Sequence, residues 1–256
     1  MSAAETGVVG AYQHWDEQWR RADGIAAWAH PDPDVIAVGS ELLAAGGRRC
    51  LDVGCGIGRH ALALAELGFE AHAIDRSEAG LQRVRAEAAR CGLNVTTRMT
   101  DMTSLPYPDE SFDFAIAWNV IYHGTPEDAV GAATEIARVL RPGGRYLSTM
   151  LSKHNTQYGK GEQIAPDVFV DHDGPEDKAH PHLYTDMADV LRLHPELRLI
   201  SAADREHGSP GSYHWHLVFE KPLASGLEKN DQYLTQTDRS SVKKSMTSVE
   251  HSGGPN

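Results

Sequence analysis

The sequence predicts an α/β protein built on a doubly wound, seven-stranded, mostly parallel sheet whose last strand runs antiparallel. Three observations carry this. A short apolar run, Cys50-Leu51-Asp52-Val53, ends in the alternating glycines Gly54, Gly56 and Gly58, and a helix-forming segment, Ala61 to Leu67, follows at once. From Arg49 onward, strand-like and helix-like segments alternate regularly, the pattern of a parallel sheet covered on both faces. The final two strand-like runs, 197–202 and 213–220, lie close enough together to form an antiparallel pair at the sheet edge.

Composition sets the class. With 256 residues, 41% hydrophobic and 23% charged, the chain has the makeup of one generous globular domain with a tail. No run approaches the roughly 18 apolar residues of a membrane helix. The N-terminus, Met1 to Thr6, lacks the basic-then-apolar order of a secretory signal, so a cytoplasmic protein without a membrane partner is expected. A net charge of −12 argues against a nucleic-acid partner, which would call for clustered Lys and Arg. Three cysteines, Cys50, Cys55 and Cys91, contain no CxxC pair and suggest neither a disulfide framework nor a zinc knuckle. Oligomeric state has no signature here.

The elements follow in order. Tyr12, Trp15 and Trp19 recur at helical spacing among Asp16, Glu17, Arg20 and Arg21, giving an amphipathic helix with an aromatic face. That face can pack on the domain or close over a ligand, so residues 1–46 are assigned as a helical lid region, with a second helix from Val35 to Ala45. The main domain, 47–222, places a second strand at Ala71–Asp75, a Ser77-capped helix to Cys91, and a third strand at Val95–Met99. The fourth strand is Phe112–Trp118. A helix opens at Thr125-Pro126-Glu127-Asp128, with a capping hydroxyl, a first-turn proline and acids at the positive end of the dipole. It stops at Leu140-Arg141-Pro142-Gly143-Gly144, before a fifth strand, Arg145–Met150. Residues 152–183 form a long polar insertion, Thr185 is positioned to cap a helix through Leu193, and residues 223–256 read as a disordered tail.

Two nucleotide-like cofactors suit a strand, glycine turn and helix. Gly56-Ile57-Gly58-Arg59-His60-Ala61 fits a GxGxxA dinucleotide fingerprint, and Asp75, ending the second strand, would serve an adenosine ribose in either case. Asp52 favours the alternative, because an acid in the last turn of the first strand repels a pyrophosphate and attracts a sulfonium or amino group. Asp101 beside Met102, after the third strand, suits an adenine amino group over an apolar wall.

Taken together, Leu51-Asp52-Val53-Gly54-Cys55-Gly56-Ile57-Gly58, Ala73-Ile74-Asp75-Arg76-Ser77, Asp101-Met102 with Leu105-Pro106-Tyr107, Ser111-Phe112-Asp113, and Arg138 to Gly144 resemble the successive motifs of class I S-adenosylmethionine-dependent methyltransferases. The resemblance spans about residues 45–222, and Gly58-Arg59-His60-Ala61 with Leu67-Gly68-Phe69 is further similar to a small-molecule branch that includes tellurite-resistance-type enzymes. It implies a Rossmann-like sheet, S-adenosylmethionine as cofactor and a small-molecule methyl acceptor. It further implies that Asp52, Gly54, Gly56 and Gly58 cradle the methionine half, with Arg59 beside them. Asp75 and Arg76 would lie at the ribose, Asp101 and Met102 at the adenine, and Trp118 and Asn119 beside the sulfonium.

On the acceptor side, His123 with Tyr122 is the candidate catalytic pair, needed only if the nucleophile carries a proton. Tyr12, Trp15, Trp19, His154, Tyr158 and His214 are the candidate substrate contacts. The HPH run at 180–182 and the HWH run at 214–216 invite a metal reading, but neither has an evident third ligand, and no metal is assigned. A non-catalytic cofactor-binding sensor or partner subunit is the alternative function.

Overall fold

The structure is a computed structural model describing residues 11–174 and 176–223; the first ten residues of the lid region and the expected tail from 224 onward lie outside the described residues. In chain order the elements are α1 (Ala11–Gln18), α2 (Ala22–Ala27), α3 (Pro33–Ala44), β1 (Arg49–Val53), α4 (Arg59–Leu67), β2 (Glu70–Asp75), α5 (Glu78–Cys91), β3 (Val95–Met99), β4 (Phe112–Ala117), α6 (Pro126–Val139) and β5 (Leu140–Ser152). Then come β6 (Glu162–Ala165), β7 (Val168–Val170), β8 (His182–Thr185), α7 (Met187–Leu193), β9 (Arg198–Glu206) and β10 (Tyr213–Glu220). Among the described residues, no helix is long and apolar enough to cross a membrane.

β3, β2, β1, β4 and β5 are parallel neighbours in that order. β10 then runs antiparallel along β5, and β9 antiparallel along β10, which closes the expected seven strands. The order reverses between β1 and β4, and in open α/β sheets ligands bind outside the carboxyl ends of the strands at such a switch point.

Period-2 alternation sorts the side chains between two cores. Leu51 and Val53 of β1 face a large cluster with Ile136, Tyr146 and Phe219, while Cys50 faces Val35, Leu64, Phe69 and Phe114 on the side covered by α3 and α4. The helix caps match the sequence: Ser77 Oγ accepts from the Gly80 amide, and Thr125 and Asp128 form a reciprocal capping box.

Three expectations change. The insertion at 152–183 contains β6, β7 and β8; β6 and β7 form an antiparallel pair, and β8 extends β5 through Leu151–Tyr184 and Ser152–Thr185. These strands are three or four residues long and partly polar, so no alternation marks them. The helix after β8 is capped by Asp186, in a box with Asp189, because Thr185 is still in the strand and its hydroxyl donates to the Leu151 carbonyl. β5 begins at Leu140, so the Pro142-Gly143-Gly144 turn lies within its span.

Candidate active site

The carboxyl ends of β1, β2 and β4 open onto a cavity of about 600 Å³. Its floor is the glycine turn. Gly54, Gly56 and Gly58 all have positive φ (64°, 54° and 80°), a region that L-residues with a Cβ rarely enter. At Gly58, the N-cap of α4, a Cβ would stand 2.6 Å from Val84 Cγ2, so the turn is also closed sterically to larger residues.

Two acids hold this turn, in different ways. Asp75, at the tip of β2, lines the cavity and accepts from the Gly56 amide (2.7 Å) and the Ser77 amide (2.8 Å). Asp52 is not among the cavity-lining residues. Alternation along β1 directs it to the α4 face, where it is 1% exposed and its Oδ2 accepts from the Ala61 amide at 3.1 Å. Burial raises both carboxyls above their usual range, Asp52 to about 7, and backbone hydrogen bonds offset part of the effect. Asp52 therefore acts on the glycine turn through the start of α4.

Arg59, Arg76, Asp101, Met102, Trp118 and Asn119 all line the cavity. Asp101 accepts from Arg76 (3.1 Å) and from the amide and hydroxyl of Thr103 (2.9 and 2.7 Å). Asn119 sits at φ 60° directly after the β4 tip, held there by Thr149, whose hydroxyl accepts from the Asn119 amide and donates to its side-chain oxygen. The buried indole nitrogens of Trp118 and Trp19 have no hydrogen-bond partner, and both residues border the cavity. Two orphaned donors, bare glycine turns and two strand-end acids form a donor and acceptor set that fits a ligand with a diol, a purine and a charged amino-acid end.

The roof is the N-terminal region. Tyr12 and Trp15 of α1, Trp19 directly after it and the following Trp28 line the cavity; Trp15 stacks on Trp19 with centroids 5.2 Å apart, and Trp28 meets Trp15 edge-on at 5.4 Å. Asp16, a residue not singled out in the sequence, pins α1 in place. Its Oδ1 accepts from the Ser77 hydroxyl (2.7 Å) and the Ala79 amide (3.0 Å) at the start of α5. Arg83 Nε donates to the Trp19 carbonyl (2.6 Å), and Arg76 lies over the Tyr12 ring at 4.0 Å. Locally Asp16 reads only as the i,i+4 partner of Arg20, because the groups it anchors are 61 and 63 residues away.

His123 also borders the cavity. Its Nε2 donates to the Asn119 carbonyl (3.1 Å), which leaves the lone pair on Nδ1, and His180 Nε2 approaches that atom at 3.0 Å. Burial first, then the neighbouring His182 and His180, holds His123 in its neutral form. Tyr122 does not line the cavity: it is buried behind it, with its hydroxyl 3.4 Å from His214 Nε2, and burial pushes its phenol well up. His154, Tyr158 and His214 also lie away from the cavity. His154 is exposed and pairs with Asp204, Tyr158 donates to Asp167 (2.7 Å), and His214 is buried between Tyr122 and the Ser212 carbonyl. The insertion reaches the cavity through Pro181 instead.

Comparison with known proteins agrees with this architecture. Residues 50–144 match a family described as methyltransferase domain. A ubiquinone biosynthesis O-methyltransferase of Methylocella silvestris is 28% identical over 170 residues, covering 59% of this chain and 66% of the relative. An O-methyltransferase, resE, of Aspergillus sclerotiorum is 36% identical over 112 residues, covering 42% of this chain and 41% of the relative. The chain thus spans less than two thirds of the length of either. Among solved structures, the Burkholderia thailandensis 1,6-didemethyltoxoflavin N1-methyltransferase, bound to 1,6-didemethyltoxoflavin and S-adenosylhomocysteine, superposes with a TM-score of 0.62. It is 20% identical, and the match covers 87% of this chain and 92% of that one. Residues 50–144 thus match a methyltransferase domain, on a fold shared with S-adenosylmethionine-dependent methyltransferases.

Proposed function

We propose that this chain carries a class I S-adenosylmethionine-dependent methyltransferase domain and transfers a methyl group to a small, largely apolar or aromatic acceptor carrying a hydroxyl. The observation that carries the reading is one continuous cavity, lined by the glycine turn, Asp75 and Asp101 together with Trp15, Trp28, His123 and Pro181. Bound S-adenosylmethionine would supply an electrophilic methyl on a sulfonium. In-line displacement gains most from alignment, and the chain's own residues provide that. Asp75 is placed to accept from a ribose diol, Asp101 and Met102 to hold an adenine, and the glycine turn with Arg59 to hold the amino-acid end. The Trp15, Trp19 and Trp28 roof excludes water and favours a flat apolar acceptor. His123 is a neutral imidazole on the cavity wall, and the names of the two curated relatives support oxygen as the accepting atom.

Calorimetry with S-adenosylmethionine, followed by transfer of labelled methyl into a panel of hydroxylated aromatics, thiols and chalcogen anions, tests the reading. Binding is expected to weaken at least about tenfold in Asp75→Ala, through loss of charge-assisted hydrogen bonds. Asp75→Asn, which preserves an acceptor for the Gly56 amide, separates ligand loss from loop loss. No binding, or binding unchanged in Asp75→Ala, would refute the cofactor site. Binding with no labelled product in any class would instead favour a sensor or partner subunit.

A further inference from the structure

Beside the cavity the fold gathers three histidines from two distant segments. His123 follows β4, while His180 and His182 flank Pro181 at the start of β8, and each contributes a ring nitrogen such that the three lie within 4.8 Å of one another. His180 and His182 are each 1% exposed. The HPH run had no visible third ligand in the sequence; the fold supplies His123.

The ring orientations are those of ligands. His182 Nδ1 donates to the His180 carbonyl (2.7 Å), so its proton is fixed there and Nε2 carries a bare lone pair. That Nε2 is buried with no hydrogen-bond partner. His123 Nε2–H donates to the Asn119 carbonyl (3.1 Å), which likewise leaves Nδ1 as the lone-pair atom. A backbone carbonyl fixing the far nitrogen is the usual outer-shell arrangement around metal-bound histidine. His180 Nε2 sits 3.0 Å from His123 Nδ1, with the proton between them on His180, and its own Nδ1 is buried without a partner. If the proton moves to that Nδ1, which has no partner among the described residues, Nε2 becomes a third lone pair and the net charge does not change. The nearby Lys178 ammonium is paired with Asp177 at 2.9 Å, which moderates its repulsion of a cation.

We propose that His123, His180 and His182 form a binding site for a divalent first-row transition ion, with zinc as the reference. Ligand nitrogens around tetrahedral zinc stand about 3.3 Å apart for bonds of about 2.0–2.1 Å, so the triad needs only a modest contraction. Three protein ligands leave a fourth position open, as in catalytic rather than structural zinc sites. The function of that position rests on the methyl-transfer reading. His123 and Pro181 border the cavity, so an ion there would bind an acceptor hydroxyl and lower its pKa; the hydroxyl proton would pass to water, the resulting oxygen would take the methyl as the S–CH3 bond breaks, and the thioether would leave neutral.

The test uses the full chain, stripped of metal and titrated with Zn2+ by calorimetry. One ion per chain is expected, with micromolar or tighter affinity. His182→Ala and His180→Ala should each weaken binding by more than the about 10–100-fold that loss of an outer-shell partner costs. His216→Ala, in the separate HWH run, should leave it unchanged, and binding of S-adenosylhomocysteine to each variant reports folding and the cofactor site independently. With Cu2+ as probe, electron paramagnetic resonance of the unmodified protein counts bound imidazole nitrogens without any substitution. Absence of Zn2+ binding, fewer than three imidazoles on copper, or equal losses in His216→Ala and His182→Ala would overturn the site, whatever the outcome for methyl transfer.

Discussion

Replacing Asp52 with asparagine is expected to flatten the dependence of stability on pH between pH 5 and pH 8. Asp52 is 1% exposed, and its Oδ2 accepts from the Ala61 amide. Burial raises its pKa from an ordinary 3.8 to about 7, the Ala61 hydrogen bond and the Arg59 charge oppose the rise, and the charge of Asp75 adds to it. Because the folded pKa lies above the unfolded one, the folded state binds more protons through the window between them. The stabilising contribution of the protonated acid is therefore complete below about pH 4 and is lost as pH rises to about 7. At about 1.36 kcal/mol per pKa unit the whole displacement corresponds to about 4 kcal/mol, more than half of it between pH 5 and pH 8. Asparagine cannot ionise, and without the Asp52 charge Asp75 is also less perturbed. The assay is urea unfolding of both proteins at several pH values, comparing slopes against pH, because asparagine's extra amide hydrogens shift absolute stability by an unrelated amount. Parallel pH profiles for the two proteins would refute the assignment of a buried, upward-shifted Asp52.

Two further perturbations address the floor and roof of the cavity. Gly58→Ala should destabilise by about 1–3 kcal/mol, through its positive φ and the 2.6 Å approach of the new Cβ to Val84, with an unchanged urea m-value; a neutral effect would mean that the turn relaxes freely. Asp16→Ala removes the acceptor for Ser77 Oγ and the Ala79 amide, so a loss of about 0.5–2 kcal/mol is expected, as for a helix cap. The same substitution should speed release of S-adenosylhomocysteine in stopped-flow tryptophan fluorescence, because α1 and the turn after it carry Trp15 and Trp19 over the cavity. An unchanged release rate would separate the roof from the Asp16 anchor.

What could be read in the sequence divides by the range of the interaction. Strands β1 to β4, β10 and the Ser77 and Thr125 caps follow from local periodicity and nearest-neighbour hydrogen bonds, and they stand close to where the residues put them. Glycines before a helix, with acids ending the next two strands, likewise lead to residues that share one cavity, since the geometry of a parallel sheet brings strand tips together. Asp52 shows where such reading stops: its place in the motif is legible, but period-2 alternation beneath α4 decides that it braces the turn from behind. The expected acceptor contacts were the least legible part. His154, Tyr158 and His214 were chosen for residue type and chain position, yet β8 pairs with β5, and that pairing brings Pro181 rather than those three to the cavity. The same pairing carries His180 to His123 across 57 residues. An HPH run is ambiguous while its neighbours are unknown, and it becomes a candidate ligand pair only when an unpartnered buried lone pair and a third imidazole are found beside it. The proposed metal site thus depends on contacts between segments, and the metal titration reads those contacts more directly than any further motif could.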